Sequence, residues 1–175
     1  MRRTTRVTSA LVMLLILCVA GPAGLAAPAG AQAQTRLSTL EREILVAVNA
    51  ERVAHGLAPV GAQADLVCAA RAHSRSMAHG SYFSHDSSNG ASFGLRLLGH
   101  GYGRDGYSGW SVGENIASAR AGTVAATPQG VVLLWMQSAA HRRVILSGAF
   151  RDAGIGVHRA AGTRYFTLDL GRRQR

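Results

Sequence analysis

Apolar positions recur at a helical period in the first half of the chain and at a strand period near its end. Leu37, Leu40, Ile44, Leu45 and Val48 fall three and four residues apart, which places them on one helix face. Ser38-Thr39-Leu40-Glu41 supplies a capping box at the start of this helix, and Gly56, behind Arg52 and His55, marks its stop. After a connector at Pro59, Leu66, Ala69, Ala70, His73 and Met77 share one face of a second helix over about residues 65–79, ended by Gly80. Residues 92–98 predict a short third helix. Thr127-Pro128 opens a fourth, with threonine as N-cap and proline at the first helical position. Val131, Leu134, Trp135 and Ser138 then lie along one face. Near the end, Phe166, Leu168 and Leu170 alternate with Tyr165, Thr167 and Asp169, as in a half-buried strand. That strand and residues 154–158 read as the arms of a hairpin turning at 160–163. Helices early and strands late predict an α+β class, with helices packed on a small antiparallel sheet.

The first 33 residues stand apart from this pattern. Arg2, Arg3 and Arg6 precede an unbroken apolar run from Ala10 to Ala20, and small residues follow. Ala29-Gly30-Ala31 and Ala31-Gln32-Ala33 both fit an A-x-A cleavage site, so residues 1–33 read as a secretory signal peptide. The run is too short for a spanning helix, which needs about 20 residues. Cleavage at 31 or 33 leaves a single domain over 34–175 with no stable membrane span, expected to be secreted and monomeric. Cys18 leaves with the leader. Cys68, amid Leu66, Ala69 and Ala70, is then alone and reads as a buried small hydrophobe.

All 19 basic residues are arginine. With three lost in the leader, 16 remain against nine Asp and Glu, a formal charge of +7. That balance favours anionic surfaces such as acidic wall polymers or lipid headgroups. Secretion and the absence of a reader motif argue against nucleic acid. Residues 99–113 carry six glycines with Tyr102, Tyr107 and Trp110 interleaved, and read as a structured loop; no phosphate-binding motif is present. His73, on an apolar stripe, reads as a satisfied core histidine.

Three segments carry the candidate chemistry: Phe83-Ser84-His85, Gly113-Glu114-Asn115-Ile116-Ala117, and Trp135-Met136-Gln137-Ser138-Ala139-Ala140-His141-Arg142. Together they supply two histidines and a carboxylate, a combination that can bind a metal or move protons. With Asn49-Ala50-Glu51-Arg52, Met77, Tyr82, Gly154-Ile155-Gly156-Val157 and Phe166-Thr167-Leu168-Asp169-Leu170-Gly171, they resemble the CAP superfamily (cysteine-rich secretory, antigen 5, pathogenesis-related 1) in its bacterial secreted form. The correspondence runs from about Leu40 to Gly171. It implies an α-β-α sandwich with a cleft holding two histidines and two glutamates. His85 matches the first histidine, Glu114 the first glutamate, and His141 the second histidine. The second glutamate falls at Ser138, so the four-residue site is incomplete. The disulfides of many eukaryotic members are absent.

Two neutral imidazoles and a carboxylate from His85, Glu114 and His141 make a workable shell for a divalent ion such as zinc. The same groups can act without metal, Glu114 orienting a histidine as general base. Ser138 and His141 stand three apart, so a Ser138–His141–Glu114 hydrolase can be drawn, although no nucleophile elbow marks the serine. A purely structural role, with Glu114 capping a helix or bonding backbone amides behind the Gly113 turn, stays open. Asp86 reads as a solvated loop carboxylate and Asn115 as a backbone-bonding turn residue. The expected function is a non-enzymatic extracellular module binding a lipid, a cell-envelope component or a metal. The alternatives are a peptidase-like hydrolase and a surface-adhering structural domain.

Overall fold

The Ser38 hydroxyl accepts a bond from the Glu41 amide (3.3 Å) and the Glu41 carboxylate accepts one from the Ser38 amide (2.7 Å), closing the capping box. It starts α1, Thr39–Ala54. The computed structural model describes residues 36–175; the leader expected over 1–33 lies outside them. After α1 come β1 (Gly61–Ala62), α2 (Ala64–Gly80), α3 (Phe93–Gly99), β2 (Gly109–Arg120) and a 3-10 turn (Val124–Ala126). Then follow α4 (Pro128–Gln137), α5 (Ala139–Ile145), β3 (Asp152–Ala160) and β4 (Thr163–Gln174). Thr127 caps α4 as its sequence requires, accepting from the Gly130 amide at 3.1 Å. Among the described residues no helix is long and apolar enough to cross a membrane.

The strands order as β1-β3-β4-β2. The three long strands are antiparallel, while the two-residue β1 pairs parallel with β3, so the sheet is mixed. Ala161 and Gly162 turn the β3–β4 hairpin, both at positive φ (46° and 77°), the backbone twist that matches paired strands. β2 was hidden in the sequence: its first residues belong to the glycine-rich stretch, which ends as strand from Gly109 onward.

Helices α1, α4 and α5 cover one sheet face. Ile44, Val48, Val131, Val132, Trp135 and Ile145 pack there against Ala153, Ile155, Phe166, Leu168 and Leu170. On α4 the inward face is Val131, Val132 and Trp135; Leu134, expected inward, is 40% exposed. Helix α2 covers the opposite face. Thr167 and Asp169, expected on a solvated face of β4, are therefore as buried as the leucines between them. The two layers approach closely because β3 is glycine where α2 crosses it. A Cβ on Gly154 would lie 2.1 Å from the Leu66 carbonyl carbon, and one on Gly156 would lie 2.2 Å from that of Ala70. Ser74 on α2 donates to Gly156 O (2.9 Å) and bonds the Thr167 hydroxyl (2.8 Å). Cys68, on the same helix, is half-buried rather than enclosed, because its side of α2 turns away from the sheet.

Buried Arg52 ties α1 to the connector between α5 and β3. Its guanidinium donates to Ala58 O (3.0 Å), Ile145 O (2.6 Å) and Ser147 O (2.9 Å). The glycine-rich stretch also closes on the core. Tyr102 is fully buried, its hydroxyl donates to Asp152 (2.6 Å), and its carbonyl accepts from Trp110 Nε1 (3.0 Å).

Candidate functional site

β2 is an edge strand, and the site forms around it. Glu114, mid-strand, has a fully buried side chain. Its position in a strand rules out the helix-capping role considered from the sequence. Its Oε1 bonds His85 Nδ1 at 2.9 Å, and its Oε2 accepts from Arg96 Nη2 in a close ion pair. Arg96, itself buried on α3, donates through Nη1 to the His85 carbonyl (3.1 Å) and the Ser87 hydroxyl (3.0 Å). One guanidinium thus neutralises Glu114 and fixes the loop that carries His85. His73 fixes the same loop from below: its Nε2 donates to the Ser84 carbonyl at 2.9 Å. His73 is buried, as expected of a core histidine, and burial together with the Arg96 charge lowers its pKa.

The two candidate histidines titrate apart. The hydrogen bond to Glu114, helped by the carboxylate's charge and opposed by burial, raises the His85 pKa. Burial and the positive charge of His85 lower that of His141. His141 belongs to α5, and its backbone carbonyl accepts from Asn115 Nδ2 at 3.0 Å. Asn115 thus bonds backbone, as expected, but from a strand rather than a turn. Because Glu114 and Asn115 point to opposite faces of β2, one strand anchors both histidine-bearing segments.

Asp169, which the sequence placed on a solvated face, stands opposite Glu114 in the β2–β4 register. It is completely buried, and neither carboxyl oxygen makes a hydrogen bond of ordinary geometry. Burial first, and the Glu114 charge second, push its pKa well up beneath the site. Arg96 and Asp169 escaped the sequence reading. Arg96 looks like a surface charge on a short helix, and Asp169 like the polar phase of an alternating strand.

Other expected partners do not meet. Glu114 bonds His85, not His141, so a Ser138–His141 pair has no carboxylate behind its imidazole. Ser138 joins α4 to α5, and its side chain makes no capping bond. Asp86 is exposed, as expected. Among the described residues no three His, Cys, Asp or Glu side chains cluster so as to hold a metal ion. Glu114, expected as the third ligand, has both oxygens engaged by His85 and Arg96.

Residues 45–170 match the model of the cysteine-rich secretory protein family, CAP. The chain belongs to the CAP family. It is 34% identical over 126 residues to the uncharacterised Bacillus subtilis protein YkwD, spanning 71% of this chain and 44% of that one. A second relative, the uncharacterised B. subtilis membrane protein YlbC, is 33% identical over 130 residues, 74% of this chain and 34% of its own. The CAP chain thus spans less than half the length of these curated relatives. Among solved structures it resembles an extracellular SCP-domain protein of Bacillus anthracis, with 27% identity and a TM-score of 0.61 over 77% of this chain and 40% of that one. The helices on both faces of a small mixed sheet are the fold of that CAP neighbour.

Proposed function

We propose that this CAP chain is a non-enzymatic extracellular module that binds a lipid or an anionic envelope component at the surface formed by His85 and His141. The observation that carries this reading is the state of Glu114. With one oxygen on His85 and the other on Arg96, and its side chain fully buried, it anchors the site and orients His85 rather than meeting a ligand itself. What the site turns outward is imidazole. His85, with about half its side chain exposed and its pKa raised, suits a phosphate or carboxylate head. The arginine excess supplies longer-range attraction to the same class of ligand. Co-sedimentation with anionic phospholipid vesicles and with acidic wall polymer tests the proposal. The His85→Ala/His141→Ala variant should bind at least fivefold more weakly than the unaltered protein; equal binding by both would sink it.

A zinc ion is a second reading, favoured by the Glu114–His85 bond. A carboxylate on Nδ1 leaves Nε2 outward, the arrangement that orients metal-bound histidines. In this reading His85 and His141 are the ligands and Glu114 stands behind His85. Bound zinc would supply a positive centre for the same anionic head. Zinc titration followed on the His85 and His141 imidazole resonances checks it; resonances unmoved at zinc saturation exclude it.

A further inference from the structure

Away from that site, His79 at the end of α2 and His158 on β3 bring their Nε2 atoms to 3.1 Å, with ring centroids 4.9 Å apart and planes tilted by 52°. Two geometries compete for such a pair. A straight N–H···N bond at this separation would hold the centroids about 5.4 Å apart. The observed centroids are closer, so the nitrogens aim to one side of the line joining them. Two imidazoles ligating one ion at about 2.0–2.1 Å have their nitrogens about 2.9 Å apart at a right angle and about 3.3 Å apart at a tetrahedral angle. The pair falls between these values.

The pair is also held by rigid elements. α2 lies on β3 through the Leu66–Gly154 and Ala70–Gly156 contacts, and Ser74 Oγ is bonded to the Gly156 carbonyl. His158 is two residues beyond Gly156 on the same strand face, and His79 is five residues beyond Ser74, at the end of the same helix. The spacing of the two rings therefore follows from interlayer packing, the kind of support a metal site needs. His79 is exposed and lines an open groove of about 770 Å3 with Arg75, Ser76 and His100, so solvent ions reach it.

We infer that His79 and His158 form a surface clip for an imidazole-seeking divalent ion, Cu2+ or Zn2+, with two protein ligands and the remaining positions left to water or an external donor. The charge of Arg75 acts on His158 and opposes any cation there. The clip thus selects by imidazole affinity, which ranks Cu2+ above Zn2+ and excludes Mg2+ and Ca2+. Bound metal would bridge helix to strand and raise the melting temperature further as its concentration exceeds its dissociation constant.

The test uses protein carrying His85→Ala/His141→Ala, so that only the clip is read. Cu2+ and Zn2+ titrations should each show one site, tighter for Cu2+, with the His79 and His158 ring resonances responding first. His79→Gln or His158→Gln, added singly, should weaken binding at least tenfold and remove the metal-induced rise in melting temperature. Arg75→Ala should tighten it severalfold. Circular dichroism of each metal-free variant checks its fold. Absence of Cu2+ binding, or binding unchanged by both glutamine substitutions, overturns the clip and leaves the pair a shared hydrogen bond.

Discussion

Glu114 and Asp169 face each other across β2 and β4, and their carboxyl groups divide one role between them. Glu114 is bonded to Arg96 and His85, while Asp169 is enclosed, makes no hydrogen bond of ordinary geometry, and has its pKa pushed well up by burial and by the Glu114 charge. Two buried like charges at such a position disfavour each other, so ion pairing at Glu114 and the raised pKa of Asp169 are one arrangement. The CAP site of this chain therefore rests on four ionisable groups, His85, Arg96, Glu114 and Asp169, of which only His85 is substantially exposed.

Asp169 sets a pH dependence of stability. Its folded pKa lies above its unfolded value, so the folded state holds the extra proton. The stabilisation is complete below the ordinary carboxylate range near pH 4 and is lost as pH rises toward the raised pKa. Asp169→Asn keeps the shape, is neutral throughout, and presents an amide that can donate to Glu114. The variant should match the unaltered protein near pH 4 and become the more stable of the two as pH rises to 7. Urea midpoints across this range measure the difference; curves that stay parallel would show Asp169 ionising freely.

Arg96→Ala removes the cation from a buried carboxylate and both donors from the 85–87 loop. The expected loss is about 3–5 kcal/mol, the range for breaking a buried pair from one side. Glu114→Gln combined with Arg96→Met should lose less than the sum of the two single changes, since neither leaves the other charge stranded. Denaturation of the four proteins gives the coupling directly. Additive losses would mean that Arg96 acts through the loop rather than through Glu114.

These features mark where the sequence was readable. Ser38–Glu41, Thr127-Pro128 and the turn at 161–162 announce themselves because capping and turns depend on few residues close together. Helices α1 to α4 and the β3–β4 hairpin followed from local periodicity. β2 did not: its first residues are glycine-rich, and its pairing with β4, more than fifty residues later, is settled by tertiary contact. The polar phase of β4 looked solvated because period two states only that the two faces differ. That α2 buries the second face depends on Gly154 and Gly156, whose small size matters only once the crossing helix is known. In the site, the segments themselves offered His85, Glu114 and His141, only the family resemblance brought them together, and the residue types could not say that Glu114 would be taken by Arg96.

The two site histidines should separate by proton NMR. His85, bonded to Glu114, should titrate above the ordinary value near 6.5, and His141, partly buried beside a cation, below it. The proton on His85 stabilises the fold fully below about pH 6.5, and that contribution fades as pH rises through the elevated pKa. Glu114→Gln should bring the His85 pKa down toward its ordinary value through loss of the charge-assisted bond. His85→Ala should let the His141 pKa rise. Coincident titrations of the two rings would contradict the geometry.

Gly156→Ala tests the layer spacing on which the fold depends. The added methyl would meet the backbone carbonyl carbon and oxygen of Ala70, both at 2.2 Å, and the amide of Arg71 at 2.3 Å. No side-chain rotation relieves a clash with helix backbone, so α2 must lift from β3. Doing so strains the bond from Ser74 to Gly156 O and the contact of Ser74 with Thr167. The expected destabilisation is about 3 kcal/mol or more, at the upper end for overpacking. Gly162→Ala, at positive φ in the hairpin turn with nothing within 4 Å of the added Cβ, should cost about 1 kcal/mol from backbone strain alone. Thermal unfolding of both variants ranks the effects. A Gly156→Ala protein as stable as Gly162→Ala would mean that the helix and sheet can separate without loss, and that the contact seen at β3 does not set the distance between the layers.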